Sequence, residues 1–421
     1  MNRPGGPALG DRGVPGHREG PGPDPPLSPA SSSSVGGVGA TIGIDVGGTK
    51  MLGVVLGLDG TVTAEARVPT PRRPTVGEAV RALGADLVMA AAAAGVRAVA
   101  VGIGLPGQVD IRGRLYLAAN LPQAEGSCIP GEVGAALGLP TIADNDGTCT
   151  ALAEWRLGAA RGRSDVVVIT VGTGIGGGVV AAGSLVRGHH RFAGEPGHMV
   201  VEPGGVPCGC GRYGCWEQYA SGGGLGRIAR RDAAEGRLAA IVTRAGGDPA
   251  AVRGEHVTAA AAAGDPEARA LLDEVGRWLA VGIANLGAVL DPEIVVVGGG
   301  LVEAATYLLE PARNALRDPI VAGRGWPAPE VVPAALGPSA GAVGAALLAR
   351  ELIRPESTGL EAAGRDGTGT TTADAAVADR DRSGRGSPGH RAAGTRAGSA
   401  EVVGPDPATG TVPAGGSSPV P

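Results

Sequence analysis

Apolar positions along the chain fall into short runs of strand length that end in glycine, alternating with longer stretches of helical spacing. Residues 41–50 read as an apolar strand closing in the Gly-rich turn Asp45-Val46-Gly47-Gly48-Thr49-Lys50. A second strand spans 51–58, Asp59-Gly60 is a strong hairpin signal, and a third strand near 61–68 completes a meander. A helix follows over 75–94 with Thr75 as its N-cap, then a strand over 96–104 that runs into the turn Leu105-Pro106-Gly107. After a second hairpin the chain reaches Asn120. A helix over 130–138 and a short strand over 140–143 lead to Asp144-Asn145-Asp146 and a helix over 148–157.

The plan then repeats. Near-continuous Val and Ile over 165–171 argue for a strand buried on both faces, and it too ends in glycine: Gly172-Thr173-Gly174-Ile175-Gly176-Gly177-Gly178 leads into another strand through Ala182. Helices are expected over 216–234 and 266–290, a strand over 294–297 before Gly298-Gly299-Gly300, a strand near Val331, and a small-residue helix over 340–352. The two strand, glycine turn, strand units point to an α/β chain of two lobes, 41–160 and 161–353. Residues 1–40 and 354–421 carry no hydrophobic periodicity and read as disordered extensions.

Composition narrows the function. The chain has 421 residues, enough for two or three domains, and with only 2% aromatics its core must rely on small and branched aliphatics. A net charge of −5 from 36 basic and 41 acidic residues offers no excess to draw it to nucleic acid or an anionic membrane. The start lacks a basic segment followed by an apolar run, and no stretch is long and apolar enough to span a bilayer, so a cytoplasmic protein is expected. In that reducing compartment cysteines are metal ligands more readily than disulfides.

Three of the five cysteines lie close together in Cys208-Gly209-Cys210-Gly211-Arg212-Tyr213-Gly214-Cys215, after Glu195-Pro196-Gly197-His198. His198, Cys208, Cys210 and Cys215 make a Cys₃His set from one Gly-rich loop, the donor chemistry of structural zinc. Neighbouring Cys-x-Cys residues bridge poorly and three cysteines leave one over, which disfavours a disulfide. Cys128 and Cys149 read as ordinary thiols. Glu195 and Glu217 lie inside this 195–217 loop but exceed the ligand count, so they are free to hold something else.

Each Gly-rich hairpin would let backbone N–H groups approach anionic oxygens, which suggests a nucleotide phosphate clamp. Neither is a P-loop or a dinucleotide fingerprint, since neither opens a helix. Asp45 in the first hairpin could reach a phosphate-bound Mg²⁺ through water. Asn145-Asp146, between a strand end and a helix, offers a proton acceptor for an attacking hydroxyl, with Asp146 the candidate base; capping of the helix by Asp144 or Asp146 is the plain alternative.

Together these motifs resemble the ROK family of sugar kinases and repressors, and within it the actinobacterial-type glucokinases. The resemblance rests on Asp45 to Lys50, Gly104-Leu105-Pro106-Gly107, Asn145-Asp146, Gly172 to Gly178, Glu195 to His198, the run from Cys208 to Ser221, and Val297-Gly298-Gly299-Gly300-Leu301. It covers nearly all of 41–353. It implies a two-lobed actin-like ATPase fold, a duplicated ribonuclease H-like arrangement, with ATP and sugar meeting between the lobes. The implied activity is a hexokinase-type transfer from ATP to the 6-hydroxyl of glucose.

By the same resemblance Asp146 is the catalytic base, and Asn120, Asn145, Glu195, His198 and Glu217 grip the other sugar hydroxyls. Asp45, Gly47, Gly48, Thr49, Lys50, Gly172, Thr173, Gly174, Gly298 and Gly299 hold ATP and its Mg²⁺. His198 doubles as a ligand of a structural Zn²⁺, and the assembly is a homodimer or homotetramer. The family also contains kinases for mannose, fructose, N-acetylglucosamine and N-acetylmannosamine, users of polyphosphate, and regulators with an N-terminal winged helix-turn-helix, which 1–40 lacks the length and amphipathic helix to form. Two positions depart from the family pattern: Leu121-Pro122-Gln123 replaces a Trp-containing segment after Asn120, and Leu336-Gly337-Pro338 replaces Leu-Gly-Asn.

Overall fold

The computed structural model describes residues 39–71, 75–118, 121–301, 305–318, 321, 323, 325 and 327–353. The expected N- and C-terminal extensions and Asn120 lie outside the described residues, save for the last two residues of the first extension, which open a strand. Strands β1 (Gly39–Val46), β2 (Lys50–Gly57) and β3 (Val62–Pro69) form the meander, with Gly60 at φ +90° in the hairpin where a left-handed residue is needed. Helix α1 (Val76–Ala93) starts with a capping box, Thr75 accepting from the Glu78 N–H and Glu78 accepting in return from the Thr75 backbone. Strand β4 (Arg97–Leu105), the small hairpin β5 (Gln108–Val109) and β6 (Leu115–Leu117), helix α2 (Ile129–Leu137) and strand β7 (Thr141–Asn145) complete the first half. The first sheet has the order β3-β2-β1-β4-β7, antiparallel across β3, β2 and β1 and parallel from β1 to β7.

Helix α3 (Asp146–Arg156) leads to the second sheet, formed by β8 (Val166–Val171), β9 (Ile175–Ala181), β10 (Ser184–Leu185), β11 (Ile294–Gly298) and β12 (Glu330–Pro333). Its order, β10-β9-β8-β11-β12, repeats the first sheet strand for strand, with the same antiparallel trio and the same parallel extension. The duplication expected from the two glycine turns is therefore a duplication of topology. Between β10 and β11 run α4 (Glu217–Ala220), α5 (Gly222–Ala234), α6 (Ala239–Arg244), α7 (Gly254–Ala262) and α8 (Pro266–Leu290), α9 (Ala305–Ala315) joins β11 to β12, and the chain closes on α10 (Ala340–Ala349) with a short 3₁₀ turn, Arg350–Leu352.

Several boundaries differ from the sequence reading. The helix expected over 216–234 is two helices, because Ser221 adopts an extended backbone and caps α5 by accepting the Gly224 N–H at 3.0 Å. The helix expected from 148 starts two residues earlier, and its cap is Asn145, not Asp144 or Asp146: the Asn145 side chain accepts the Thr148 N–H at 2.9 Å. Helices α6, α7 and α9 are additions to the sequence reading: α6 is short, α7 is Ala-rich, and α9 carries Pro311 inside it, a residue that argues against a helix.

Two cores flank a shared layer. α1 and α2 cover the outer face of the first sheet, while Trp216, α5, α7, α8 and α9 build the larger core on the second. α3 and α10 lie between the sheets. Their approach is so close that a Cβ on Gly43 of β1 would strike the Ala342 carbonyl, one on Gly102 of β4 the Ala345 carbonyl, and one on Gly344 the Cys149 carbonyl. Glycine on both partners is what lets a nearly all-buried helix lie against a strand backbone. Glu154 of α3, fully buried, ties the layer together by accepting the N–H groups of Ala159, Ala335 and Leu336 at 2.9–3.1 Å. Among the described residues no helix is long and apolar enough to cross a membrane.

Candidate active site and metal cluster

The junction of β7 and α3 carries the central side chains. Because Asn145 ends the strand in extended conformation, its amide points away from the sheet: Oδ1 caps α3, and Nδ2 donates to the Gly107 carbonyl at 3.0 Å and to Glu195 Oε1 at 3.1 Å. Asp146 is the first residue of the helix, with Oδ1 accepting the Gly147 N–H at 2.8 Å. Gly147 must be glycine here, since a Cβ would lie 2.6 Å from the Gly177 backbone of β9.

The facing wall comes from the loop after β10. Glu195 precedes a 3₁₀ turn, Pro196–His198, seated under β9, where a Cβ on Gly197 would strike the Ile175 carbonyl. His198 Nδ1 lies 3.8 Å from Cys208 Sγ and 3.7 Å from Glu217 Oε1. His198, Cys208, Cys210 and Cys215 place their donor atoms within 4.8 Å of one another, and all five cysteines are free thiols. Three thiols and an imidazole at that spacing fit a tetrahedral zinc ion, whose ligand sulfurs stand roughly 2.3 Å from the metal. Behind the cluster Trp216 is buried, its indole N–H donating to the Trp278 carbonyl at 2.7 Å, so the loop is anchored on α8.

Of the two glycine hairpins, the first follows Asp45 and the second lies against this wall. In the first, the Gly47 N–H bonds the Lys50 carbonyl at 2.9 Å, Thr70 Oγ1 donates to the Gly47 carbonyl at 2.6 Å, and Gly48, Thr49 and Lys50 stay exposed. In the second, the start of α5 docks on the turn: Gly222 N–H donates to the Gly172 carbonyl at 2.8 Å and Gly223 N–H to that of Thr173 at 3.0 Å. A Cβ on Gly174 would meet Glu217 Oε2, which puts the carboxylate of the wall directly against this hairpin. Gly299, at φ +96°, crosses the end of β8 at Val171 just after Gly298.

Electrostatics single out three carboxylates recessed between the sheets. Burial pushes Asp45 up to about 7, with the Asp146 charge adding to the rise and Lys50 opposing it. Burial also raises Asp146 to about 6, against the hydrogen bond from Gly147. Glu195 is raised to about 7 by burial first, then by Asp146 and Glu217. Asp45 and Asp146 share the face of Gly104, where a Cβ would lie 3.4 Å from Asp45 Oδ1 and 3.5 Å from Asp146 Cα. Buried carboxylates that raise one another's pKa to near neutrality are in the state expected of groups that take up a proton or face a cation.

The structure thus brings Asp146, Asn145, Glu195, His198 and Glu217 to one place, with both hairpins at its edge. Sequence reasoning passed over the Gly107 carbonyl as a partner of Asn145, and over Thr70 and Arg187, whose roles depend on contacts across long separations that leave no local signal.

The ROK family profile matches residues 41–352. A glucokinase of Streptomyces coelicolor is 39% identical over 320 residues, covering 75% of this chain and 98% of that one. Among solved structures, a ROK family glucokinase from Streptomyces griseus in complex with glucose and AMPPNP superposes with a TM-score of 0.66 at 38% identity, over 74% of this chain and 99% of that one. A ROK hexokinase from Thermus thermophilus gives 0.61 at 36% identity, over 75% and 99%. With the profile running from the first strand to the last helix and the topology duplicated as the resemblance implies, the chain is a member of the ROK family, with the actin-like ATPase fold.

Proposed function

We propose that this chain is an ATP-dependent glucokinase, transferring the γ-phosphoryl group of ATP to the 6-hydroxyl of glucose to give glucose 6-phosphate and ADP. The observation that carries the reading is the convergence of a raised-pKa aspartate, Asp146, with the Asn145–Glu195 pair beside a glycine hairpin. The similarity to a glucokinase bound to glucose and AMPPNP supports both the sugar and the nucleotide.

In this reading Asp146 accepts the proton of the sugar 6-hydroxyl as that oxygen attacks the γ-phosphorus and ADP leaves on the opposite side. Asn145, Glu195, His198 and Glu217 hold the remaining hydroxyls, so that the attacking oxygen and the phosphorus meet in line. Backbone N–H groups of 47–50 and 172–174 and the turn at Gly298-Gly299 cradle the phosphates. Asp45, raised to about 7 chiefly by burial, is the residue that would face a phosphate-bound Mg²⁺, which would supply charge neutralisation. Zinc held by His198, Cys208, Cys210 and Cys215 would supply rigidity; His198 turns Nδ1 toward Cys208, which would leave its other ring nitrogen for a sugar oxygen. The proposed lobes are 41–160 and 161–353, with 340–349 returning to pack on the first sheet.

A coupled ADP-release assay over a panel of hexoses and N-acetylhexosamines, with ATP and polyphosphate as donors, tests this. ADP release with glucose above the other sugars is the expected result. Silence with every sugar would replace the kinase by a sugar-responsive regulator.

A further inference from the structure

Asp144, the residue before Asn145, is 2% exposed, and the proposed chemistry makes no use of its carboxylate. Its Oδ1 accepts the Asn145 N–H at 3.0 Å, and its Oδ2 accepts Arg187 Nε at 2.7 Å. Arg187 belongs to the other sheet's connections, two residues beyond β10, and a terminal nitrogen of its guanidinium continues to Glu351 at 3.3 Å in the last turn of the described chain. The Arg187 carbonyl accepts the Ala193 N–H at 3.1 Å, closing a loop whose far end delivers Gly194, at φ +96°, and then Glu195. Glu195 in turn meets Asn145 at 3.1 Å. The contacts form a closed ring: Arg187 to Asp144, along the chain to Asn145, across to Glu195, and back along the loop to Arg187.

We propose that Arg187 is a positioning residue, fixing the Asn145–Asp146 strand end against the Glu195 loop so that base and sugar ligands hold one geometry. It acts through Asp144 and through the base of its own loop. Only a guanidinium serves, because one donor must reach Asp144 while another reaches Glu351. Removing it would also strand a buried carboxylate two residues from the base, and an uncompensated buried charge distorts its surroundings more than loss of the whole pair. The proposal rests on the reading of Asp146 as base and Glu195 as sugar ligand, so its test includes Asp146→Asn.

Steady-state kinetics and thermal unfolding are compared for Arg187→Met, Asp144→Asn, the double variant and Asp146→Asn. Arg187→Met is expected to lower kcat by about tenfold to a hundredfold, the scale of a one-ångström misplacement, with glucose KM rising by only about threefold. Asp144→Asn is milder, since Arg187 keeps Glu351. The double variant, with no orphan charge left, regains at least about threefold of the kcat lost by Arg187→Met. An Arg187→Met enzyme with kcat within about twofold of the parent, or a double variant no better than Arg187→Met, overturns the assignment and leaves an ordinary structural ion pair. Turnover retained by Asp146→Asn would overturn the base reading instead, while the kcat and KM split of Arg187→Met and the recovery in the double variant still decide the clamp.

Discussion

At the scale of single residues, Asp146 sets the terms. On the proposed reading of Asp146 as base, replacing it with Asn keeps its shape while removing the proton acceptor, so kcat is expected to fall by roughly 10²–10⁴-fold with glucose binding still measurable by titration calorimetry. Stability moves the other way. Burial raises Asp146 from its ordinary 3.8 to about 6, so the ionised side chain is worse placed in the folded protein than in the unfolded one, and this penalty grows as pH rises from 3.8 through 6. At pH 8 the Asn variant should therefore melt no lower than the parent; a clear drop in Tm would mean that the carboxylate is held by contacts that the folded chain needs. The pH profile follows from the same groups. Asp146 at about 6 and Glu195 and Asp45 at about 7 titrate together, so the acid limb of kcat/KM belongs to the set and not to one member. Activity should decline as pH falls through about 7 to 6, and a limb near the ordinary carboxylate range around 4 would show that these side chains are not the ones that matter.

At the scale of elements, what the sequence made legible was what local pattern determines. The buried strand over 165–171, the Asp59-Gly60 hairpin and the Thr75 cap all depend on neighbours a few residues away, and all stand in the structure. Where the competition is between local options, reading by pattern slips: Ser221 breaks a helical stretch because its hydroxyl caps α5, and Asn145 takes the cap of α3 from the two aspartates beside it. Asn145, Asp146, Glu195, His198 and Glu217 were singled out in the sequence, yet their convergence was visible only through family resemblance, since the Asn145–Glu195 contact spans fifty residues of sequence. Arg187 and Thr70 had no such help. The small residues of the helix expected over 340–352 have a purpose in the contact of α10 with β1, β4 and α3. Gly102→Val should then destabilise the protein by about 1–3 kcal/mol or more, as overpacking against a fixed carbonyl does. Gly287→Ala in α8, where an added Cβ meets nothing within 4 Å, should instead be neutral or stabilising by up to about 1 kcal/mol. Urea midpoints measure both, and equal effects would remove the close helix-on-strand contact as the cause.

At the scale of the molecule, the Cys₃His cluster is the far end of a chain of contacts that reaches the second glycine hairpin. The loop from His198 to Cys215 ends on Trp216, locked to α8; the next residue, Glu217, leans on Gly174; and Ser221 starts the helix whose first N–H groups hold the carbonyls of Gly172 and Thr173. Loosening the loop should therefore reach His198, Glu217 and the second glycine hairpin alike. Unfolded cysteines and histidine hold no preformed cage, so metal affinity for the folded site adds directly to folding stability. Stripping the protein with a strong chelator is expected to lower Tm and weaken glucose binding together, and to weaken binding of a non-hydrolysable ATP analogue as well, with all three restored by zinc and not by magnesium. A packing role confined to the loop would lower Tm alone, because nothing in such a role moves Glu217 or Gly174. A stripped protein that binds glucose with unchanged affinity would therefore separate the cluster from the site, and would leave His198 to be oriented by Glu217 through its 3.7 Å contact instead of by the metal.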